Sequence, residues 1–231
     1  DFLSECPGPT QPWTTRWQLA FGRIAGVLPS GEIVATGRSY SDFFTEIDGI
    51  GRWTGSEWAP LGQGFFGKLQ AGVAVPGGYA VGGSFRRLGA LAANNVALWN
   101  GASWQALGAG TNGTVQQLHR RLNGELVASG AFTQVGNLAV PGFAVWSGAA
   151  WTLPGGGPGA AVTCSLVLAN DDVVVATANG LQRWNGATWS TFGGVAGVSI
   201  TAMVEAPNGD LIVSGPFTSC GVPANNIARW N

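Results

Sequence analysis

Tryptophan in this chain comes in a fixed unit, and the unit repeats. Four copies of W-x-G-x-x-W appear: W-T-G-S-E-W from Trp53, W-N-G-A-S-W from Trp99, W-S-G-A-A-W from Trp146 and W-N-G-A-T-W from Trp184. A fifth starts at Trp230 and is cut off at Asn231. Successive copies begin 46, 47, 38 and 46 residues apart. Periods of that length are those of propeller blades and related arrays, in which each unit must pack against its neighbours to bury its faces.

The residues between the Trp units recur as well. After the second Trp a short run ends in Gly: A-P-L-G to Gly62, Q-A-L-G to Gly108, S-T-F-G to Gly193. An apolar stretch, a turn and a second apolar stretch follow. N-G-E-L-V-A-S-G-A-F-T from Asn123 matches N-G-D-L-I-V-S-G-P-F-T from Asn208, with S-G-E-I-V-A-T-G from Ser30 and V-G-G-S-F to Phe85 as further versions. The third stretch, A-N-N-V-A-L-W-N ending at Asn100, returns as A-N-N-I-A-R-W-N ending at Asn231. Asn-Gly suits the turns of antiparallel hairpins, and Val, Ile and Trp suit the strands beside them. No capped run with helical spacing is present. Four strands per unit are predicted. The 38-residue unit is short because D-V-V-V-A-T-A from Asp172 passes almost directly to N-G-L-Q-R-W.

Composition narrows the class. Hydrophobic residues are 45% and charged residues 10% of 231, with 38 Gly and 11 Trp. Disorder needs few apolar and aromatic residues, so this balance excludes it and points to short strands with tight turns. A net charge of −1 without a basic block excludes a nucleic-acid footprint. No apolar run approaches the roughly 18 residues of a membrane-spanning helix, so membrane insertion is not expected. The chain begins at Asp1, which leads us to expect a mature product that has lost its signal peptide.

The phase of the repeat predicts how the array closes. The last unit ends after its third strand, whereas P-W-T-T-R-W-Q-L-A-F-G from Pro12 reads as an isolated fourth strand, with Trp17 in the place of Trp58, Trp104, Trp151 and Trp189. Pairing it with the strand ending at Trp230 removes an exposed edge. The expected fold is therefore all-β, a five-bladed β-propeller of four antiparallel strands per blade, closed by its N-terminal strand. Residues 1–11 form an extension, 12–22 the closing outer strand, and 23–62, 63–108, 109–155, 156–193 and 194–231 the repeats. Cys6 precedes the closing strand and Cys220 its expected neighbour, so a bridge between them would fasten the seam, worth roughly 2–4 kcal/mol, and would imply an oxidising compartment. Three unpaired thiols are the alternative. Cys164 reads as a buried strand residue.

The unit W-N-G-x-x-W-x-x-L-G, then P-N-G-D-L-x-V-x-G-x-F, then N-N-I-A-R-W-N, resembles the Trp-rich propeller repeats of secreted bacterial proteins. It is also similar to repeats in the extracellular region of fungal cell-polarity proteins. The likeness runs from about Trp13 to the end and implies a secreted or cell-surface propeller. In blade number and length the chain is similar to tachylectin-type five-bladed lectins, in architecture only, because their sugar-binding residues do not map onto these positions.

Candidate chemistry is sparse. Glycosidases need two carboxyls across a scissile bond. Glu32, Glu125, Asp171, Asp172 and Asp210 instead recur at equivalent turn positions, which points to turn chemistry. Asp42, Glu46 and Asp48 cluster in S-Y-S-D-F-F-T-E-I-D-G, compatible with a calcium or sugar contact and, more simply, with a solvated loop. Glu205 could face the axis but makes no acid–base pair alone. His119, the one histidine, sits in Q-Q-L-H-R-R-L beside Arg120, and no nucleophilic triad can be argued around it. Ten Trp belong to the repeat (Trp17, Trp53, Trp58, Trp99, Trp104, Trp146, Trp151, Trp184, Trp189 and Trp230) and read as cross-strand packing. Irregular residues are better ligand candidates: Phe43 and Phe44 in the first unit, Arg86 and Arg87 in the second, His119 and Arg120 in the third. Asn112-Gly113-Thr114 fits an N-glycosylation acceptor and an ordinary turn equally.

The reading is a non-enzymatic, extracellular or cell-surface binding or scaffold module, with no cofactor, metal or catalytic residue. Its partner is a glycan or a protein held by loops or inter-blade grooves. A glycosidase-like enzyme with carboxylates at the channel mouth, and a purely structural domain of a larger assembly, are the alternatives.

Overall fold

Local turn chemistry sets the hairpins. In W-N-G-A-S-W the Asn100 side-chain oxygen accepts from the backbone N–H of Ala102 and Ser103 (3.0 and 2.8 Å), and Asn185 does the same for Ala187 and Thr188. The Gly that follows has φ near +95° (Gly101 94°, Gly148 95°, Gly186 94°), a region that costs a Cβ-bearing residue dearly. Chain reversal there places the two Trp of each unit directly opposite one another: Trp53 and Trp58, Trp99 and Trp104, Trp146 and Trp151, Trp184 and Trp189.

A computed structural model of the chain describes residues 19–28, 30–40, 46–56, 58–62, 65–192, 199–217 and 224–230. These form antiparallel sheets in chain order. Sheet one holds β1 (Leu19–Val27), β2 (Ile33–Tyr40), β3 (Glu46–Trp53) and β4 (Trp58–Pro60). Sheet two holds β5 (Phe65–Val75), β6 (Gly78–Leu88), the short β7 (Leu91–Ala92), β8 (Val96–Trp99) and β9 (Trp104–Ala106). Sheet three holds β10 (Thr114–Arg120), β11 (Leu126–Ala131), β14 (Phe143–Trp146) and β15 (Trp151–Thr152), with β12 (Gln134–Val135) and β13 (Leu138–Ala139) as a separate two-stranded ribbon. Sheet four holds β16 (Val162–Val167), β17 (Val173–Thr177), β18 (Gly180–Trp184) and β19 (Trp189–Phe192). Sheet five holds β20 (Ala202–Glu205), β21 (Leu211–Ser214) and β22 (Ile227–Trp230).

The all-β, antiparallel reading holds, with two differences from it. Among the described residues the sheets number six, because the connection from second to third strand in the third repeat folds back at Gly136 (φ 55°) into its own ribbon. Glu46 and Asp48, expected in a loop, lie on β3 opposite Tyr40 and Arg38. The expected closing strand falls outside the described residues up to residue 18; from Leu19 the chain is already in β1, paired with β2. Trp17, Cys6, Cys220, Asp42, Phe43 and Phe44 also lie outside the described residues.

The second strands explain the stacking. V-V-V-A (Val173 to Ala176) is apolar on both faces and fully buried, the signature of a strand covered from both sides. Val173 and Val175 pack with Val127, Phe143 and Val145 of sheet three. Val174 and Ala176 pack with Ile200, Leu211 and Val213 in the fifth repeat. Two further clusters join sheets one and two around Tyr79 and Val81, and sheets two and three around Ala80, Leu107, Val115 and Ala128. Each interface between successive sheets thus has its own core layer. Tyr79 is fully buried, and Gly26 and Gly72 leave room for it: a Cβ there would come within 2.3 and 2.5 Å of its hydroxyl oxygen.

Candidate functional site

The Trp pairs do more than pack across strands. Their rings are tilted at centroid distances of 5.4 Å (Trp99–Trp104, Trp146–Trp151) and 5.5 Å (Trp184–Trp189). The second Trp of each pair then reaches into the preceding unit. Trp104 Nε1 donates to the Leu61 carbonyl at 2.8 Å, Trp151 to Leu107 at 2.7 Å and Trp189 to Pro154 at 2.9 Å. The next residue in the preceding unit is always Gly, and it lies under the rings. A Cβ on Gly62 would fall 2.7 Å from Trp104, and one on Gly155 would fall 2.5 Å from Trp184. The Gly that follows Leu61, Leu107 or Pro154 is therefore the socket for the Trp pair of the next sheet. Among the described residues these Trp are structural ties between repeats.

The repeated acids are also engaged. Glu32 pairs with Arg52, Asp172 with Arg183, Asp210 with Arg229 and Glu125 with Arg121. The Arg52 guanidinium, helped by the Ser30 hydroxyl, holds the Glu32 carboxyl below its usual range. Asp171 departs from this pattern. It takes the positive-φ place (70°) occupied by Gly31, Gly124 and Gly209 elsewhere. From there it pairs with Arg121 (2.9 Å) and accepts the Leu122 N–H at 2.6 Å, tying sheet four to sheet three. Glu205 makes the corresponding tie, accepting the Ala169 N–H at 2.6 Å.

Among the described residues the sequence-selected ligand candidates do not converge. Arg86 and Arg87 are exposed near the end of β6, where Arg87 reaches the Ala90 carbonyl. His119 and Arg120 lie at the opposite end of the sheets, beside the turn from β10 to β11. Arg120 is exposed. His119 instead packs against sheet four, its Nε2–H donating to the Ser165 carbonyl at 2.9 Å. Burial lowers its pKa, partly offset by that bond. Its neutral form is thus favoured in the fold, which contributes stability present above about pH 6.5 and lost as pH falls from there through the lowered folded value. Urea titrations at stepped pH should show this acid-side slope, and His119→Gln, which keeps a donor without the titration, should flatten it. An unchanged slope would refute the assignment. Asn112 accepts from the N–H of Thr133 and Gln134 and donates to the Thr133 hydroxyl, so it caps a loop.

What does converge is uncharged. The first strands of sheets two, three and four carry one extra residue at the same register, between Leu69 and Ala71, Val115 and Gln117, Val162 and Cys164. Such bulges re-aim side chains. The extra residues are Gln70, Gln116 and Thr163, and Thr201 occupies the corresponding place before β20. All four line a cavity of about 570 Å³ with Gln117, Ala131, Val162, Ser199 and Ile200. Among the described residues no ionisable side chain contributes to it.

One side of this cavity is firmly built. The Gln117 carbonyl oxygen accepts from the Ser165 N–H and the Ser129 hydroxyl, and its amide donates to Cys164 Sγ at 3.2 Å. Ser129 and Ser165 share a 2.7 Å bond, and Thr163 donates to the Ile200 carbonyl at 3.1 Å. Cys164 is a buried free thiol whose pKa burial pushes up, so it is unsuited to nucleophilic work. By contrast, the Gln70 and Gln116 side-chain amides have no partner among the described residues. Residue-by-residue alignment of the first strands, V-Q-Q-L against V-T-C-S and L-Q-A-G, is the signal that would have found this row.

No protein-family model and no curated protein matches the sequence. Solved structures do. Two structures of the extracellular domain of BT4673 from B. thetaiotaomicron align over 87% of this chain with TM-scores of 0.55 and 0.52 at 10% and 12% identity. The chain spans only 26% and 32% of those structures. The WD40 β-propeller domain of Doa1 aligns over 85% of the chain and 59% of its own length, at 14% identity and a TM-score of 0.48. At these identities the likeness concerns the fold alone. No helix among the described residues is long and apolar enough to cross a membrane.

Proposed function

We propose that the chain is a five-bladed propeller, closed by its N-terminal strand, that serves as an extracellular binding module and not as an enzyme. The observation that carries the binding reading is the cavity: equivalent polar residues of adjacent sheets meet there, and two of them have unused hydrogen-bonding groups. The engagement of the repeat acids and of Glu205 in structural ties argues against a pair of working carboxylates. Closure is supported by where large apolar side chains stay exposed. Val27 and Ile33 lie on the face of sheet one turned from sheet two, and Val204 and Ile227 on the face of sheet five turned from sheet four. Bringing those faces together would cover both. A ring of radially repeated sheets is one architecture that does so.

Two-dimensional amide spectra recorded during titration with panels of neutral sugars, acidic sugars and short peptides test the binding reading. A ligand of any panel should shift resonances of Gln70, Gln116 and Thr201 before those of the loops. Hydrolysis of any sugar in the panel would contradict the non-catalytic reading.

A further inference from the structure

We propose that the cavity at the repeated bulges takes an uncharged, hydroxyl-rich ligand, a neutral mono- or disaccharide; this rests on the binding reading above and narrows it. The size is suitable, since small-molecule sites are commonly about 300–1,000 Å³ and this one is about 570 Å³. The lining decides the class. An anion or a cation moved into a site without a countercharge loses its hydration and gains no ion pair, and none of the described residues that line this cavity is ionisable. A sugar hydroxyl both donates and accepts, and so does a glutamine amide. Gln70 and Gln116 offer two such amides from the same register of adjacent sheets, with the Thr201 hydroxyl beyond them as an acceptor, its hydrogen directed at the Ser214 carbonyl. The exposed Ala131 supplies apolar surface beside them.

Pre-organisation favours the same answer. Gln117 stands next to Gln116, but its amide is consumed by Ser165, Ser129 and Cys164. Thr163 is likewise held on the Ala176 and Ile200 carbonyls. These bonds tie sheets three, four and five into one wall, so that Gln116 projects from a fixed backbone. A site whose walls are already ordered loses less entropy on binding.

The test is a titration of the full chain with neutral hexoses, N-acetylhexosamines and their disaccharides, followed by the Gln side-chain NH₂ resonances. A neutral sugar should shift the Gln70 and Gln116 amides. Gln116→Leu and Gln70→Leu should each weaken its binding about tenfold, the loss of one or two hydrogen bonds, with unchanged melting temperatures. Arg86→Ala should bind as wild type, and affinity should hold between about 0.05 and 0.5 M salt, because no charge pair is involved. Failure of every neutral sugar to move those amides overturns the inference, as does sugar binding that both Leu variants retain in full. Should a peptide or an acidic sugar alone move them, the sugar class is wrong and the binding reading survives. If no panel moves any cavity residue, both fall.

Discussion

Trp104→Ala is expected to lower the unfolding free energy by about 3 kcal/mol or more. The indole performs three tasks at once. It covers the Trp99 ring at 5.4 Å, it fills the space over Gly62, and it satisfies the Leu61 carbonyl at the edge of the neighbouring sheet. Alanine loses the packing and strands that carbonyl. Trp104→Phe separates the two contributions, because most of the ring area stays and only the donor goes; about 1–3 kcal/mol should be lost, the cost of leaving a polar group without its partner. Urea denaturation of the three proteins gives the order wild type, Phe, Ala. If Ala costs less than about 1 kcal/mol, or if Phe is as damaging as Ala, the indole is not the tie described. Trp151, with the same three tasks against Leu107 and Gly108, should repeat the series.

Removing residues 1–18 should have a comparable or larger effect. The closure proposed above assigns those residues the fourth strand beside β22. Their loss would leave β22 as a bare edge and prevent the closure that would cover Val204 and Ile227 against Val27 and Ile33, all four of which are exposed on the open end faces. Each large aliphatic side chain contributes about 1.5–3 kcal/mol when fully buried, so partial loss at four of them amounts to several kcal/mol. A bare strand edge also pairs readily with another chain. The chain 19–231 is therefore expected to unfold at markedly lower urea and to self-associate in light scattering. Wild-type stability in a monomeric truncated chain would mean that the N-terminal segment plays no part in closure.

Much of this architecture was legible because its determinants are local. Asn-Gly turns, Val- and Ile-rich second strands and the paired Trp act within a few residues, and each recurs in the same phase. The equivalent turn acids were legible for the same reason, although Asp171 stands in a glycine's place and reaches into the neighbouring sheet. The Trp ties were not legible. That an indole donates to a carbonyl more than thirty residues earlier depends on how one sheet stacks upon another. The L-G run was visible as a pattern, yet its reason, a glycine lying beneath rings of the next unit, is a tertiary fact.

The cavity was hidden for a different reason. Attention goes to rare charged and aromatic residues such as Arg86, His119 and Phe43, and ordinary glutamines in a strand look like filler. A single extra residue hardly disturbs an apolar pattern, so V-Q-Q-L reads as alternation with one polar slip. Only the register of β10 against β11 reveals that Gln116 is the inserted residue and that Gln70 and Thr163 are its counterparts.

The proposed ring requires the five repeats to stand around one axis with the two chain ends in a shared sheet. Nuclear Overhauser contacts between the indole protons of Trp17 and Trp230 interrogate that arrangement directly. Closure predicts strong cross-peaks like those of the Trp99–Trp104 pair, whose rings lie 5.4 Å apart; a Trp17 indole with contacts only elsewhere, in a folded monomer, would contradict it.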